Sequence, residues 1–377
     1  MKYWRLVPPV SSLAVLWLLG VSFAGSQATA QTKPMLAEEA FKNIQVLKGI
    51  SAGDFMGTMG IMTTALGFDC ESCHASAGTD NVKWELDTPR KFMARRMVTM
   101  VTNINQTSFG GRQVVTCYTC HRGRDRPVVT QPVDDIYSSP PLVMDDVFRQ
   151  AEGSPAPGTI VDKYIQAVGG AQRVNSLTSI SATGTSRFFG NFGGGGDVQF
   201  YAKAPDQRAT IISYKDAPGR GDNSRTYDGR QGWMRVPLSI LGEYALGGNE
   251  LAGARVDAQL TFPGQIKTAL TNLRTGAPTA INDIDVDVVQ GDGPDGVTVS
   301  LFFDSKSGLL LRTVRYSRSP IGRISTQIDY DDYREVGGIK LPHKWEMAWL
   351  DGRDTIELRD VKINVPIDAA KFGRQAR

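Results

Sequence analysis

Histidine is scarce in this sequence, three among 377 residues, and so is net charge, +3 from 42 Lys and Arg against 39 Asp and Glu. So small a surplus, spread along the chain, gives no reason to expect nucleic acid as a partner. Only four Cys are present, and none lies near residue 30 to take a lipid. Beyond residue 24 no run is apolar enough to span a bilayer, so any membrane association is expected to be peripheral. His343 is the only imidazole outside two short motifs, so no Ser, His and Asp triad can be assembled. With no catalytic constellation to find, an enzyme is not expected. What is abundant is apolar sequence, at 41%, and Gly, at 40 residues. The first supports a sizeable core in two or three domains, and the second many turns and much β structure.

Lys2 and Arg5 precede an apolar run from Val10 to Ala24 and the small-residue site Ala28-Thr29-Ala30. This is the pattern of a cleaved secretory signal over residues 1–30, and the run is short for an uncleaved anchor. The remaining chain is therefore expected in the periplasm or another exported, oxidising space, with membrane association left open.

All four Cys fall in two pentads, Cys70-Glu71-Ser72-Cys73-His74 and Cys117-Tyr118-Thr119-Cys120-His121. Each is C-x-x-C-H, the pattern of covalent c-type haem attachment. Two thiols at this spacing reach the two vinyl groups on one porphyrin edge, and the next imidazole reaches the iron. Disulfides or a zinc site are the competing readings. With so few His, the chance that one follows both pairs at random is about 6 in 100,000, and zinc does not require it there. Cys70, Cys73, Cys117 and Cys120 are therefore expected to carry two haems, with His74 and His121 as proximal iron ligands. A hydrogen bond from each imidazole's other nitrogen to a backbone carbonyl should fix its tautomer.

His343, in a strand-like stretch, reads as a surface or half-buried residue, so the distal ligands are sought among methionines. Met56, Met59 and Met62, then Met93, Met97 and Met100, repeat at helical spacing. Ser51, Asp54 and Gly67 bound the first helix; Thr88-Pro89 opens the second, which runs to about Asn105. Each block thus reads helix, turn, pentad. At most one Met per helix can bind iron, and the others fill the core.

The stretches Phe41 to Lys48, Phe55 to Met59, Ala94-Arg95-Arg96-Met97 and Val115 to Gly123 resemble the cytochrome c subunit of purple-bacterial photosynthetic reaction centres. The resemblance covers residues 36–127. It implies an all-α dihaem module in which Met59 and Met97 are the axial ligands. It also implies service to a membrane reaction centre, re-reducing its photo-oxidised primary donor. Purple-bacterial members carry four haems and many are lipid-anchored through Cys; this chain has two pentads and lacks that Cys.

Residues 128–157 are rich in Pro and read as a linker, with one short helix near Met144 to Ala151. From 158 to 377 a first helix, Thr159 to Val168, gives way to strand signals with short turns such as Asp228-Gly229 and Ser307-Gly308. This predicts an α+β domain dominated by an antiparallel sheet, similar to the curved sheets of lipoprotein-carrier proteins. Gly193 to Gly196 reads as a flexible hairpin loop, and Asp283, Asp285 and Asp287 as the wet face of a strand.

The functional expectation is a periplasmic electron carrier with two His/Met haems. The alternatives are service to a respiratory or other membrane partner and a dihaem peroxidase-type enzyme, with the β domain binding lipid or protein.

Overall fold

The computed structural model describes residues 33–130, 150–189, 194–214 and 221–375, and residues 32–377 form one compact unit. The signal segment and the helix expected near Met144 fall outside the described residues, Gln150 and Ala151 excepted.

The first third is helical: α1 (Ala37–Ala40), α2 (Ala52–Leu66), α3 (Cys70–Cys73), α4 (Pro89–Phe109) and α5 (Cys117–His121). Helix α2 begins and ends where its caps dictate. Ser51 Oγ accepts from the Asp54 amide at 3.1 Å, a cap contributing about 1 kcal/mol. Gly67 closes it in the left-handed region, φ 66°. Helix α4 starts at Thr88-Pro89 but overruns Asn105 by a turn, to Gly110 at φ 60°. Asn105 does not end the helix because its side chain is buried and turned to other use, described below. No described helix is long and apolar enough to cross a membrane.

Two helices, α6 (Pro157–Ala167) and α7 (Ala171–Asn175), lead into the sheet. Its first half is β1 (Ser179–Phe189), β2 (Gly194–Lys203), β3 (Gln207–Ser213), β4 (Asn223–Tyr227), β5 (Gly232–Val236) and β6 (Gly242–Ala245). Helix α8 (Gly248–Leu260) intervenes, with no counterpart in the sequence reading. Then come β7 (Thr271–Thr275), β8 (Thr279–Ile281), β9 (Ile284–Asp292), β10 (Thr298–Asp304), β11 (Leu310–Ser319), β12 (Gly322–Val336), β13 (Ile339–Trp349) and β14 (Gly352–Ile363). Every pairing is antiparallel, as the short turns require. The order is β6-β5-β4-β3-β2-β1-β14-β13-β12-β11-β10-β9-β7, with β8 beside β9.

Tyr164 and Val161 of α6, Val256 of α8 and Leu301 and Phe303 of β10 share one core cluster. Phe200, Ile328, Trp345 and Leu358 belong to a second.

Three local readings change. Of the expected hairpin loop, Gly193 lies outside the described residues and Gly194 to Gly196 are the start of β2, paired with Phe188, Arg187 and Ser186, where a Cβ at Gly196 would meet Ser213 O at 2.8 Å. Asp283 sits in the β8–β9 turn at φ 63°, leaving Asp285 and Asp287 on the strand opposite buried Val286 and Val288. His343 is buried at 4% exposure on β13, its Nδ1 at 3.0 Å from Leu341 O.

Candidate haem-binding segment

The first pentad is a single helical turn. Asp69 Oδ1 caps it by accepting from the Ser72 amide at 2.9 Å and the Ser72 hydroxyl at 2.8 Å. The first turn of α4 then takes up its free carbonyls, which a four-residue helix leaves without internal donors. Thr88 Oγ1 donates to Cys73 O at 2.8 Å and Arg90 Nη1 to Ser72 O at 3.0 Å. His74 follows directly, its ring edge-on to Trp84 at 5.0 Å between centroids.

The second pentad repeats the design. Thr116 caps α5 by accepting from the Thr119 amide, and Arg122 ends it at φ 50°. His121 Nδ1 lies 2.9 Å from Arg124 O. A carbonyl only accepts, so Nδ1 carries the proton and Nε2 is left with its lone pair. The expected bond to a backbone carbonyl therefore exists at His121. At His74 it is looser: the Trp84 backbone interacts with the imidazole, while the buried Nδ1 makes no bond of ordinary hydrogen-bond geometry.

Burial pushes the Cys73 and Cys117 thiols above their ordinary pKa. None of the four Cys is in a disulfide, Cys70 and Cys120 being exposed and Cys73 and Cys117 half-buried. Met59 is half-buried and packs, with Met62 and Cys117, against Leu47, Ile61, Val98 and Ile321. On α4, Met97 is half-buried while Met93 and Met100 stand 49% and 42% exposed.

Haem fits this segment by two tests. The donor set is complete in each pentad, with two thiols and an imidazole on one turn. The surroundings also expose much apolar surface, at Leu86, Phe92, Met93, Met100, Val114 and Tyr118, while α4 buries only Val98, Val101 and Asn105. So much exposed apolar surface around one small cluster is what a flat hydrophobic group would cover.

Basic residues on α4 and after α5 divide into two sets. Arg95 pairs with Asp87 at 2.7 Å, Lys91 donates to Trp84 O and Leu86 O, and Arg90 holds Ser72 O and lies over the Phe68 ring. Arg96, Arg122, Arg124 and Arg126 are exposed.

Two features of the segment had no sequence signal. Asn105 Oδ1 accepts from the Val114 and Val115 amides at 3.0 and 2.9 Å, and its Nδ2 donates to Val115 O at 2.7 Å. This one buried amide clamps the strand of chain leading into α5. The other is the β11–β12 turn, which reaches the second pentad from about 200 residues away in sequence.

Residues 21–139 match the family model for the photosynthetic reaction centre cytochrome C subunit. Among curated proteins, the photosynthetic reaction center cytochrome c subunit of Thermochromatium tepidum is 36% identical over 96 residues, which is 24% of this chain and 22% of that protein. That of Rubrivivax gelatinosus is 34% identical over 95 residues, 24% of this chain and 25% of that protein. The chain thus spans about a quarter of the length of the curated relatives it matches. Among solved structures, a LolA superfamily protein from Nitrosomonas europaea is 14% identical with a TM-score of 0.40, covering 59% of this chain and 99% of that one. A DUF1329 family protein from Desulfovibrio piger is 10% identical with a TM-score of 0.41, covering 58% and 98%.

Proposed function

We propose that this chain is an exported dihaem c-type cytochrome that passes single electrons to a membrane-bound redox partner, a reaction centre being the partner its relatives' names suggest. The observation that carries the reading is the pair of capped C-x-x-C-H turns inside the segment that matches reaction-centre cytochrome subunits. Haem, when bound, supplies a one-electron iron couple. The chain's part is to fix that group and its surroundings. Cys70, Cys73, Cys117 and Cys120 would hold it covalently, and His74 and His121 would face the iron. Met59 and Met97 are the candidate distal ligands, and thioether ligation raises the potential. The carbonyl of Arg124 orients His121 and raises its basicity as a ligand. The test is the mass of the purified protein, expected to exceed the polypeptide by two haems that acid and organic solvent do not extract. A different excess, or haem that extracts freely, removes the reading.

A second role falls to the sheet domain. A cavity of about 70 Å³ is lined by Tyr164, Phe200, Arg208, Tyr330, Tyr333 and Trp345, among others, and Trp345 Nε1 is buried without a partner. At that size the cavity takes a few waters or one small apolar group with a hydrogen-bond acceptor, and a lipid chain would enter only if the sheet opened around it. Solvent extraction of the native protein and of Trp345→Phe tests for such an opening: a lipid recovered from the first and depleted in the second supports it, and no extractable ligand from either argues against it.

A further inference from the structure

The turn between β11 and β12 is two residues long, Pro320 and Ile321, between the paired Ser319 and Gly322. A hairpin tip at the surface would carry polar residues, yet Ile321 is fully buried. It is the one sheet-side residue among the four that form the buried cluster of the helical segment, with Leu47, Ile61 and Val98. Around it the backbone is tied to the chain that enters the second pentad. The Cys117 amide donates to Ile321 O at 3.3 Å, and Gln113 Nε2 donates to Ser319 O at 2.5 Å. The tip is itself held in shape, since the Ile321 amide donates to Ser319 Oγ at 3.3 Å.

Close approach extends the contact along α2. A Cβ at Gly322 would stand 3.2 Å from Ile61 and 3.8 Å from the Thr116 side chain that caps α5. One at Gly57 would meet Ile324 at 2.6 Å, and one at Gly60 would meet Leu350 at 3.2 Å. The strand ends therefore press on α2 on one side and on the α5 cap on the other.

We infer that Ser319 and Ile321 are positioning residues for the second pentad, so that the sheet domain sets the orientation of Cys117, Cys120 and His121 although it contributes no ligand. The inference rests on the dihaem reading. A hairpin that merely covered apolar surface would stabilise the segment as a whole. The hydrogen bonds to the Cys117 amide and from Gln113 act on the second pentad alone, because the first is held instead by Asp69, Thr88 and Arg90, whereas the Ile321 side chain also packs with Met59 of α2.

The experiment is a potentiometric titration of the holoprotein as native chain, Gln113→Ala and Ile321→Ala, with Val288→Ala as a core control elsewhere in the sheet. The two potentials are assigned with a Cys117→Ala/Cys120→Ala variant. The expected result is a shift in the second haem's potential in both test variants, with the first haem's potential unchanged in Gln113→Ala, and neither moved by the control. Potentials that stay fixed, or that move together in Gln113→Ala, overturn the inference. Ile321→Ala can fail to fold, and Gln113→Ala then decides, since it removes one hydrogen bond at a partly buried site. Amide exchange at Cys117 is a readout independent of haem: slow in the native chain and faster in both variants if the hairpin holds the pentad, unaltered if it does not. A native protein with no haem would sink the dihaem reading while leaving that exchange measurement able to judge the contact.

Discussion

The Glu250 carboxylate on α8 lies so close to the Gly53 backbone of α2 that a Cβ added at Gly53 would stand 1.8 Å from its Oε2. The relation is reciprocal, since a Cβ at Gly248, which opens α8 at φ 51°, would meet Asp54 Oδ2 at 2.1 Å. Each helix start thus receives the other's carboxylate. Burial pushes Glu250 up to about 7, with Arg225 pulling it down and Asp54 adding to the rise. Burial raises Asp54 as well, against hydrogen bonds from Asn249.

The consequence for stability has a definite sign. Between about 4.5 and about 7 the folded chain keeps the Glu250 proton and the unfolded chain has lost it, so stability falls as pH rises through that window. The size is on the order of 3 kcal/mol, and Asp54 shifts in the same direction. Urea denaturation of Glu250→Gln against the native chain should show the variant gaining relative stability from pH 5 to pH 8. Parallel curves would mean that the folded chain holds Glu250 ionised.

Asn105→Ala deletes three hydrogen bonds and leaves the Val115 amide without its acceptor and the Val115 carbonyl without this donor, while the Val114 amide keeps the Arg112 carbonyl. Losing a buried partner costs about 1–3 kcal/mol per stranded group, so a loss of roughly 2–4 kcal/mol is expected by chemical denaturation. Asn105→Asp keeps the acceptor and should recover part of it. Equal losses in both variants would assign the effect to helix packing.

Met59→Ala and Met97→Ala should each abolish one haem's thioether-to-iron charge-transfer band and lower one potential. If Met56, Met62, Met93 or Met100 gives that result instead, the ligand assignment is wrong.

Arg90, Lys91 and Arg95 are bound to carbonyls and to Asp87, and Arg112 donates to Phe109 O, which leaves Arg96, Arg122, Arg124 and Arg126 as exposed basic surface near the second pentad. If that surface steers an acidic redox partner, electron transfer slows as salt rises, and Arg124→Gln/Arg126→Gln flattens the dependence. A rate indifferent to salt in both proteins assigns these arginines to haem propionates or solvent.

Local chemistry was legible and distant contact was not. Ser51, Gly67 and Thr88 are short-range signals, and the structure uses each as a cap. The long strands β12 to β14 show apolar alternation in sequence, and β10 reads as a short continuous apolar run. The short strands β4 to β8 have too few residues for a period to emerge. Helix α8 escaped because its start is two glycines, placed by Asp54 from 195 residues away. Ile321 looks in sequence like a turn residue, and only the packed helix opposite explains why it is apolar. His343 is buried because Leu341 O satisfies its Nδ1 within the same strand, a pairing that composition does not reveal.

The sheet's first and last strands, β1 and β14, pair with each other at its middle. Ser179 Oγ there donates to Val365 O across 186 residues of chain. During synthesis the pentads emerge first and the sheet cannot close until its last strand arrives. Until then β1 and β13 are open edges able to recruit other chains. The pentads precede every strand in the chain, so on the dihaem reading their thiols are available for attachment before the two halves of the sheet can join.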